Sequence, residues 1–561
     1  MPPIEFEQNE SGASVPRDYL LKSRYRFTAP SQTQVSKALQ VAHEISEAFY
    51  LGDGIWAGEP SIPLIRFTSR RVIGYIGAYR VLGDHVYLTR AREGLEYLLR
   101  EQKPSGTFVW YYRSVRGIDN QDDGLYETAI AGYALLEGYR LLGDNRYLIA
   151  SEKAATWAMN CPISWNTNYN MFAVWHLAAL YRETQKPAYL EAAVYKTKEG
   201  GVQGQFNSGG WPGHNSWSWY HGIIVRGMAE LYNVLPADHP FRAELQPSLT
   251  AAINRLIREQ DITGHIPANP GIADDHHRMS HPLHGLLLAR KSFGAALDDC
   301  ICGIEQFRIA TEPTLLEVKE FKRAREQWAR ETAEARRHMK NDRIWFDAFD
   351  QFDKDPLWGD VAKGWFNCWY PLNDPMPGHV LWVRNQRSQR SGNSCLEYTC
   401  TGPRVFSGIG FRVPKDLLIP GDSYRFEVWV KCKESGAAKG CIDLVYISAY
   451  SGQFRDGWDC LTNCAIMNEE PSFDDYSKLS VRFTAQPDTA YLYVYLCADS
   501  VPDGETVSMF LDEAELFHEG KPLPQWKSPL KYDDWDCDVM VTGVYLERMF
   551  RRGDADHSPV L

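Results

Sequence analysis

From about residue 33 to residue 300, apolar residues recur at spacings of three and four, the pattern of helices that bury one face, and Gly- and Pro-rich stretches separate them. A phrase repeats along this region. It reads Tyr79-Arg80…Tyr87-Leu88, then Tyr139-Arg140…Tyr147-Leu148, then Tyr181-Arg182…Tyr189-Leu190, and a looser copy runs from Tyr232 to Phe241. Leu-Gly-Asp joins the halves of the first two copies, at Leu82-Gly83-Asp84 and Leu142-Gly143-Asp144. A second phrase, Leu98-Leu99-Arg100-Glu101-Gln102 before Gly106, returns as Leu256-Ile257-Arg258-Glu259-Gln260 before Gly264, and reads as a helix C-terminus entering a loop. Together they predict stacked helical hairpins, roughly 33–100, 122–160, 168–200, 218–260 and 276–300, with tight turns at one end and long aromatic loops at the other. Hairpins that close on themselves form an α/α toroid, and an open solenoid is the alternative. Long loops gathered on one side favour the closed form, because binding loops need a rigid scaffold beneath them.

After residue 344 the period changes to two. Tyr424-Arg425-Phe426-Glu427-Val428-Trp429-Val430 and Tyr491-Leu492-Tyr493-Val494-Tyr495-Leu496 alternate as half-buried strands, separated by turn signals such as Pro420-Gly421-Asp422. The fold class is therefore multidomain α + β, an N-terminal (α/α) toroid followed by a jelly-roll β-sandwich. The expected divisions are an irregular segment 1–32, the toroid 33–310, a charged helical connector 311–343, the sandwich 344–522 and a loosely attached tail 523–561.

Composition narrows the function. The net charge of −12 argues against nucleic acid, which needs a basic face. No run of 18 apolar residues exists, so no membrane partner is expected. Met1-Pro2-Pro3-Ile4-Glu5 shows neither a charged n-region nor an apolar h-region, so no signal peptide is expected. Aromatics reach 13%, with 18 Trp and 30 Tyr, many in loop-like stretches that suit the flat apolar face of a sugar. The 12 cysteines crowd the second half without matched C-x-x-C pairs, so no zinc site and no cofactor is expected. Disulfides involving Cys395 or Cys400 and buried free thiols both fit, and the sandwich leaves room for a structural calcium without specifying one.

The candidate chemistry lies in four loops that each precede an apolar helix. The first holds Trp110, Tyr112, Asp122 and Asp123, the second Asn168 and Tyr169, the third Trp211, His214, Trp217, Tyr220 and His221, the fourth Asp275 and His277. One of Asp122 and Asp123 is expected to cap its helix, leaving the other for function. His214 and His221 stand in a Gly- and Trp-rich stretch, which favours a pocket over a core position. Arg226, inside the following helix, could hold a carboxylate or pair with a neighbouring acid. Adjacent His276 and His277 rarely chelate one ion together, so no metal is assigned.

Asp122-Asp123-Gly124-Leu125-Tyr126, followed by Gly138-Tyr139-Arg140-Leu141-Leu142-Gly143-Asp144-Asn145-Arg146-Tyr147, resembles the unsaturated glucuronyl hydrolases and, more broadly, the six-hairpin glycosidase superfamily. His221-Gly222-Ile223-Ile224-Val225-Arg226-Gly227-Met228-Ala229-Glu230-Leu231 is similar to a helix of the same superfamily, and the likeness covers roughly residues 60–300. It implies that Asp123 is a catalytic or substrate-binding carboxylate. The family's second catalytic aspartate would fall near Asn168-Tyr169-Asn170, where no acid stands. Phe406-Ser407-Gly408-Ile409-Gly410-Phe411 and Met509-Phe510-Leu511-Asp512-Glu513-Ala514-Glu515-Leu516 resemble jelly-roll carbohydrate-binding modules, over about 345–520. There Trp429 is expected in the core and Trp458 as a ligand platform.

Three readings follow, each with a poly- or oligosaccharide as partner. The first is an inverting glycoside hydrolase, in which Asp123 and Asp275 stand roughly 6.5–9.5 Å apart as acid and base, with Trp110, Trp211 and Trp217 stacking the sugar. The second is a polysaccharide lyase that acts on a uronate by β-elimination, drawing its base and carboxylate neutraliser from Asn168, Tyr169, His214, Tyr220, His221 and Arg226. The third is a non-catalytic sugar-binding protein.

Overall fold

A computed structural model describes residues 6–8, 14–16, 19–56, 65–108, 120–164, 166–267, 279–355, 359–369, 380–401, 404–413, 415–434, 445–452, 475–485, 491–501, 504–524, 528–530 and 535–550. The chain divides into two compact units: Met1–Phe108 with Asp122–Gln327 and Trp526–Leu561, and Val109–Gln121 with Trp328–Gln525.

The helices are α1 (Gln32–Glu47), α2 (Ile65–Leu82), α3 (His85–Glu101), α4 (Asn120–Leu142), α5 (Asn145–Asn160), α6 (Thr167–Thr184), α7 (Pro187–Gly200), α8 (Ser218–Val234), α9 (Arg242–Glu259), α10 (Ser280–Phe293), α11 (Asp298–Ala310), α12 (Leu315–Arg337) and α13 (Trp535–Phe550). Among the described residues six helices form an inner layer, α2, α4, α6, α8, α10 and α13. They are apolar nearly all round, as helices buried on every side must be. Val72 to Ala78, Ala129 to Leu136 and Met171 to Leu180 are runs with no exposed residue. Neighbours in this layer pack closely through glycines. A Cβ on Gly222 of α8 would stand 2.2 Å from the Pro282 nitrogen of α10, and one on Gly227 would stand 2.6 Å from the Met171 carbonyl of α6. α13 packs against α10 on one side and α2 on the other, which closes the toroid. The outer layer is α1, α3, α5, α7, α9 and α11.

The repeated phrase places the tight turns and ties both layers. Gly83 and Gly143 take φ of +70° and +69°, a region open to glycine at low cost, and Asp84 and Asp144 cap the next helix by accepting from Val86 N–H and Arg146 N–H. In the third copy Gln185 supplies the positive φ, and Pro187 starts α7. Each arginine of the phrase reaches the next inner helix. Arg80 donates to Glu137 at 2.7 Å and to Glu547 of α13 at 2.8 Å, Arg140 to Glu183 at 2.8 Å, and Arg182 pairs with Glu230. The second tyrosine ties the outer layer, as where Tyr147 donates to Glu96 at 2.6 Å.

The other phrase holds the opposite end. Gln102 donates to Gly106 O and Ala150 O, and Gln260 to Gly264 O and Cys300 O, so each amide closes its own loop and ties the next outer helix. A third copy, Gln205 to Gly209 O and Ser248 O, lies where the surrounding sequence has diverged.

Two expectations about the chain ends change. Phe6–Gln8 and Ser14–Pro16 pair as short antiparallel strands in the segment expected to be irregular. Residues 535–550, expected in a loose tail, are α13, and its Val539, Met540, Val541, Tyr545 and Leu546 are buried in the toroid core. The strand region thus sits in the chain between the last outer helix and the last inner one.

The second unit carries a sheet in the order Ser477–Thr484, Ser423–Glu434, Thr506–Gly520, Cys395–Thr401, Val380–Asn385, Gly359–Ala362, Phe352–Asp355, with Asp342–Asp347 also paired to Thr506–Gly520. A second sheet runs Val445–Gly452, Tyr491–Val501, Arg404–Arg412, Trp365–Trp369. Tyr424, Phe426, Val428, Val430 and Cys432 face the core from alternate positions. Trp429 therefore faces away from the core, contrary to expectation, with the Arg390 guanidinium 3.8 Å from its ring centroid and Lys478 Nζ at 5.2 Å. Trp458 lies outside the described residues. Cys161, Cys300, Cys302, Cys395, Cys400 and Cys432 are free thiols.

Candidate functional site

All inner helices of the toroid except α13 begin where long loops enter, so their N-termini form one mouth. The first turns of α6 and α8 bring five of the sequence-predicted residues together. Asn168 Nδ2 donates to Asn166 Oδ1 at 2.6 Å and Asn215 Oδ1 at 2.8 Å, and lies 3.3 Å from His214 Nε2. Asn215 Oδ1 also accepts from the Asn168 backbone N–H at 3.1 Å, which fixes its direction. The His214 ring meets Tyr220 edge-on at 4.6 Å, and Trp217 stands 6.4 Å from His214 and 6.0 Å from Tyr220. Tyr169 stacks on Tyr126 at 5.8 Å.

Three predicted residues point elsewhere. His221 Nε2 lies 2.8 Å from the Ala252 carbonyl of α9, and burial lowers its pKa to about 3, so the ring is neutral and wedged between helix layers. Trp211 is fully buried, and its Nε1 donates to Gly201 O at 2.8 Å. Arg226 lies deep in the toroid, its guanidinium 3.8 Å from the Trp175 ring centroid. Asp122 and Asp123 stand in the first turn of α4, with side chains outside the described part. Trp110, Tyr112, Asp275 and His277 lie outside the described residues.

Beneath these first turns lies a layer that sequence reasoning missed. Arg70 of α2 donates to the Tyr126 hydroxyl of α4 and lies 5.9 Å from the Trp219 ring centroid of α8, so it spans the toroid axis. Trp219 meets His281 of α10 at 4.4 Å, and Phe172 of α6 meets Tyr126 at 4.1 Å. Glu127 accepts from Arg66 N–H at 2.6 Å and Arg66 Nη1 at 3.2 Å, holding the start of α2 against α4. Burial lifts the Glu127 carboxyl to about 7 despite the nearby arginines. The readable signal was charge at helical spacing in apolar helices: Arg66 and Arg70 on α2, Asp123 and Glu127 on α4.

No family model and no curated protein matches the chain. Two kinds of solved structure resemble it. An unsaturated glucuronyl hydrolase from Streptococcus agalactiae is similar over 50% of this chain and 79% of its own, at 14% identity and a TM-score of 0.37. A possible member of the GH105 family from Salmonella enterica is similar over 51% and 83%, at 17% identity and a TM-score of 0.38. A CBM22 xylan-binding domain from Paenibacillus barcinonensis is similar over 32% of this chain and 97% of its own, at 15% identity and a TM-score of 0.22.

Proposed function

We propose that the first unit is a carbohydrate-active enzyme that cleaves a glycosidic bond at the mouth of the toroid. The observation that carries this reading is the meeting of Asn168, His214, Tyr220, Trp217 and Tyr169 at the helix starts, where hydrogen-bonding groups and aromatic faces combine as a sugar requires. The first route is inverting hydrolysis. Asp123, in the opening turn of α4, serves as one carboxyl and Asp275 as the other, one protonating the leaving oxygen while its partner activates water. The jelly-roll unit is read as a module that binds the same class of polysaccharide.

A specific observation favours a second route, β-elimination at a uronate. His214 stands between Asn168 and Tyr220, so a base and a polar group able to meet the substrate carboxylate already adjoin. The Asn168 amide hydrogens are directed at Asn166 and Asn215, so Asn168 would meet a substrate carboxylate by giving up one of these bonds.

One experiment separates the routes. The protein is incubated with a panel of neutral and uronate-containing polysaccharides while reducing sugar and ultraviolet absorbance of unsaturated uronate are followed. Hydrolysis predicts reducing sugar without absorbance, lost in Asp123→Asn. Elimination predicts absorbance that persists in Asp123→Asn and is lost in Tyr220→Phe. Silence across a broad panel would reject both and leave a sugar-binding protein.

A further inference from the structure

A chain of hydrogen bonds at the mouth begins at a backbone N–H and ends on the His214 ring. The Asn168 backbone N–H can only donate, so the Asn215 atom that it meets at 3.1 Å is the oxygen Oδ1. That oxygen can only accept, so the Asn168 side-chain atom 2.8 Å from it is Nδ2. Nδ2 is a donor without a lone pair to offer, which makes its contact at 2.6 Å the oxygen of Asn166. The same Nδ2 lies 3.3 Å from His214 Nε2. A proton on Nε2 would stand against the amide hydrogens, whereas a bare Nε2 accepts from them.

Both segments are held in place. Asn166 N–H donates to Ser164 Oγ at 2.8 Å. The turn that carries His214 and Asn215 is closed by Trp217 N–H on His214 O at 2.9 Å, and tied to α9 where Arg255 donates to Ser216 O at 2.7 Å. The arrangement leaves Asn168 Oδ1 buried without a partner. Folded proteins seldom leave such an acceptor unmet. Turning the amide over would set oxygen against oxygen at both Asn166 and Asn215, so the unmet acceptor is the cost of keeping Nδ2 beside His214.

We propose that Asn215 and Asn166, acting through Asn168, are positioning residues that hold neutral His214 with its proton on Nδ1 and its Nε2 bare. The ring then meets a substrate as a hydrogen-bond donor and takes no part in proton transfer, because forming an imidazolium would force a proton onto Nε2. That role rests on the cleavage site proposed at the mouth, while the position of the proton does not. In the elimination route the base is then Tyr220.

The test uses the full chain with its histidines labelled with nitrogen-15, and reads the ring nitrogens by nuclear magnetic resonance at neutral pH. The His214 ring is the one missing from the spectrum of His214→Gln. The expected result is a neutral ring, protonated at Nδ1 and bare at Nε2. Asn168→Asp sets an acceptor in place of the donor and should move a proton onto Nε2. Asn215→Ala frees the Asn168 amide to turn and should mix the two tautomers, a change that a merely structural asparagine would not cause. The wild-type spectrum decides alone if the variants fold poorly. A wild-type ring protonated at Nε2, or a pattern unchanged in Asn168→Asp, would overturn the proposal. Where the polysaccharide panel shows cleavage, His214→Gln should keep it within roughly tenfold of wild type, since a proton-transfer group is worth about 10²–10⁴. A loss of that larger size would overturn the donor role. A silent panel would reject the cleavage reading and leave the nitrogen spectrum to decide where the proton sits.

Discussion

At the scale of single residues, the buried titratable groups of the toroid pull stability in opposite directions as pH changes. Glu127 is lifted from 4.5 to about 7 by burial, so between those values the folded protein binds a proton that the unfolded chain has released. Stability from this group is highest in acid and declines as pH rises through 7, by roughly 3 kcal/mol for a shift of this size. Glu127→Gln should therefore gain stability relative to wild type by roughly that amount between pH 4.5 and pH 8, as read from urea unfolding across the range. A pH-independent difference would mean that the carboxyl is not raised. His43, His176, His221, His281 and His284 act the other way. Burial lowers each below 6.5, to about 3 for His176 and His221, so unfolding takes up protons once pH falls under 6.5. Each contributes a loss of roughly 1.4 kcal/mol per pH unit while its folded form stays neutral, and five histidines outweigh one glutamate. The expected outcome is net destabilisation below pH 6.5, with more than one proton taken up on unfolding, measurable by calorimetry in buffers of different ionisation enthalpy. The sequence did not reveal these orientations. Tyr220 and His221 are adjacent, and one helical step of about 100° sends the first to the mouth and the second toward α9. An inner helix that is apolar on every side carries no stripe from which to read that rotation.

At the scale of elements, what was legible was what repeats. The Tyr-Arg…Tyr-Leu phrase marked the tight turns because the turn itself demands a positive φ and a capping side chain, and these leave residues in the sequence. The Gln…Gly phrase marked the loop end in two copies, while the third at Gln205 was hidden because only the glutamine and the glycine carry the structure. Gly264 shows why the glycine cannot vary. It takes φ of +88°, and a Cβ there would stand 2.0 Å from the Gly303 carbonyl of α11. Gln260→Ala removes the donor to two carbonyls in a buried setting, Gly264 O and Cys300 O. It should cost about 1–3 kcal/mol in chemical unfolding, near the upper end because both acceptors are left unmet. Gln102→Ala, at a partly buried copy, should cost less, since water can replace the lost donor. Equal costs would count against burial as the deciding variable.

At the scale of the whole molecule, the first unit is built from both ends of the chain. The change of hydrophobic period at residue 344 made the strand region visible, but nothing in that period says that the chain returns afterwards to a structure left open some 200 residues earlier. The return is carried by close backbone approach together with the buried apolar residues of α13. A Cβ on Gly543 would stand 1.9 Å from the Gly74 carbonyl, and one on Gly77 would stand 2.6 Å from the Gly543 carbonyl, so α2 and α13 touch where neither can bear a side chain. Gly543→Leu cannot be absorbed by rotating a flexible neighbour, because the obstacle is backbone. It should part α13 from α2 and cost at least the 1–3 kcal/mol usual for overpacking, or about that and more. Removing residues 531–561 should be worse. The faces of α1, α2 and α10 that pack on α13 would meet water, and Val539, Met540, Val541, Tyr545, Leu546 and Met549 would be lost from the core. The expected outcome is a toroid that unfolds or aggregates and loses any activity at its mouth. The strand unit should keep its own transition, because its hydrophobic cluster contains no residue of α13. Differential scanning calorimetry of full-length and truncated protein distinguishes this from a dispensable tail: a truncated chain that retains both transitions and its activity would show that α13 is not needed to close the toroid.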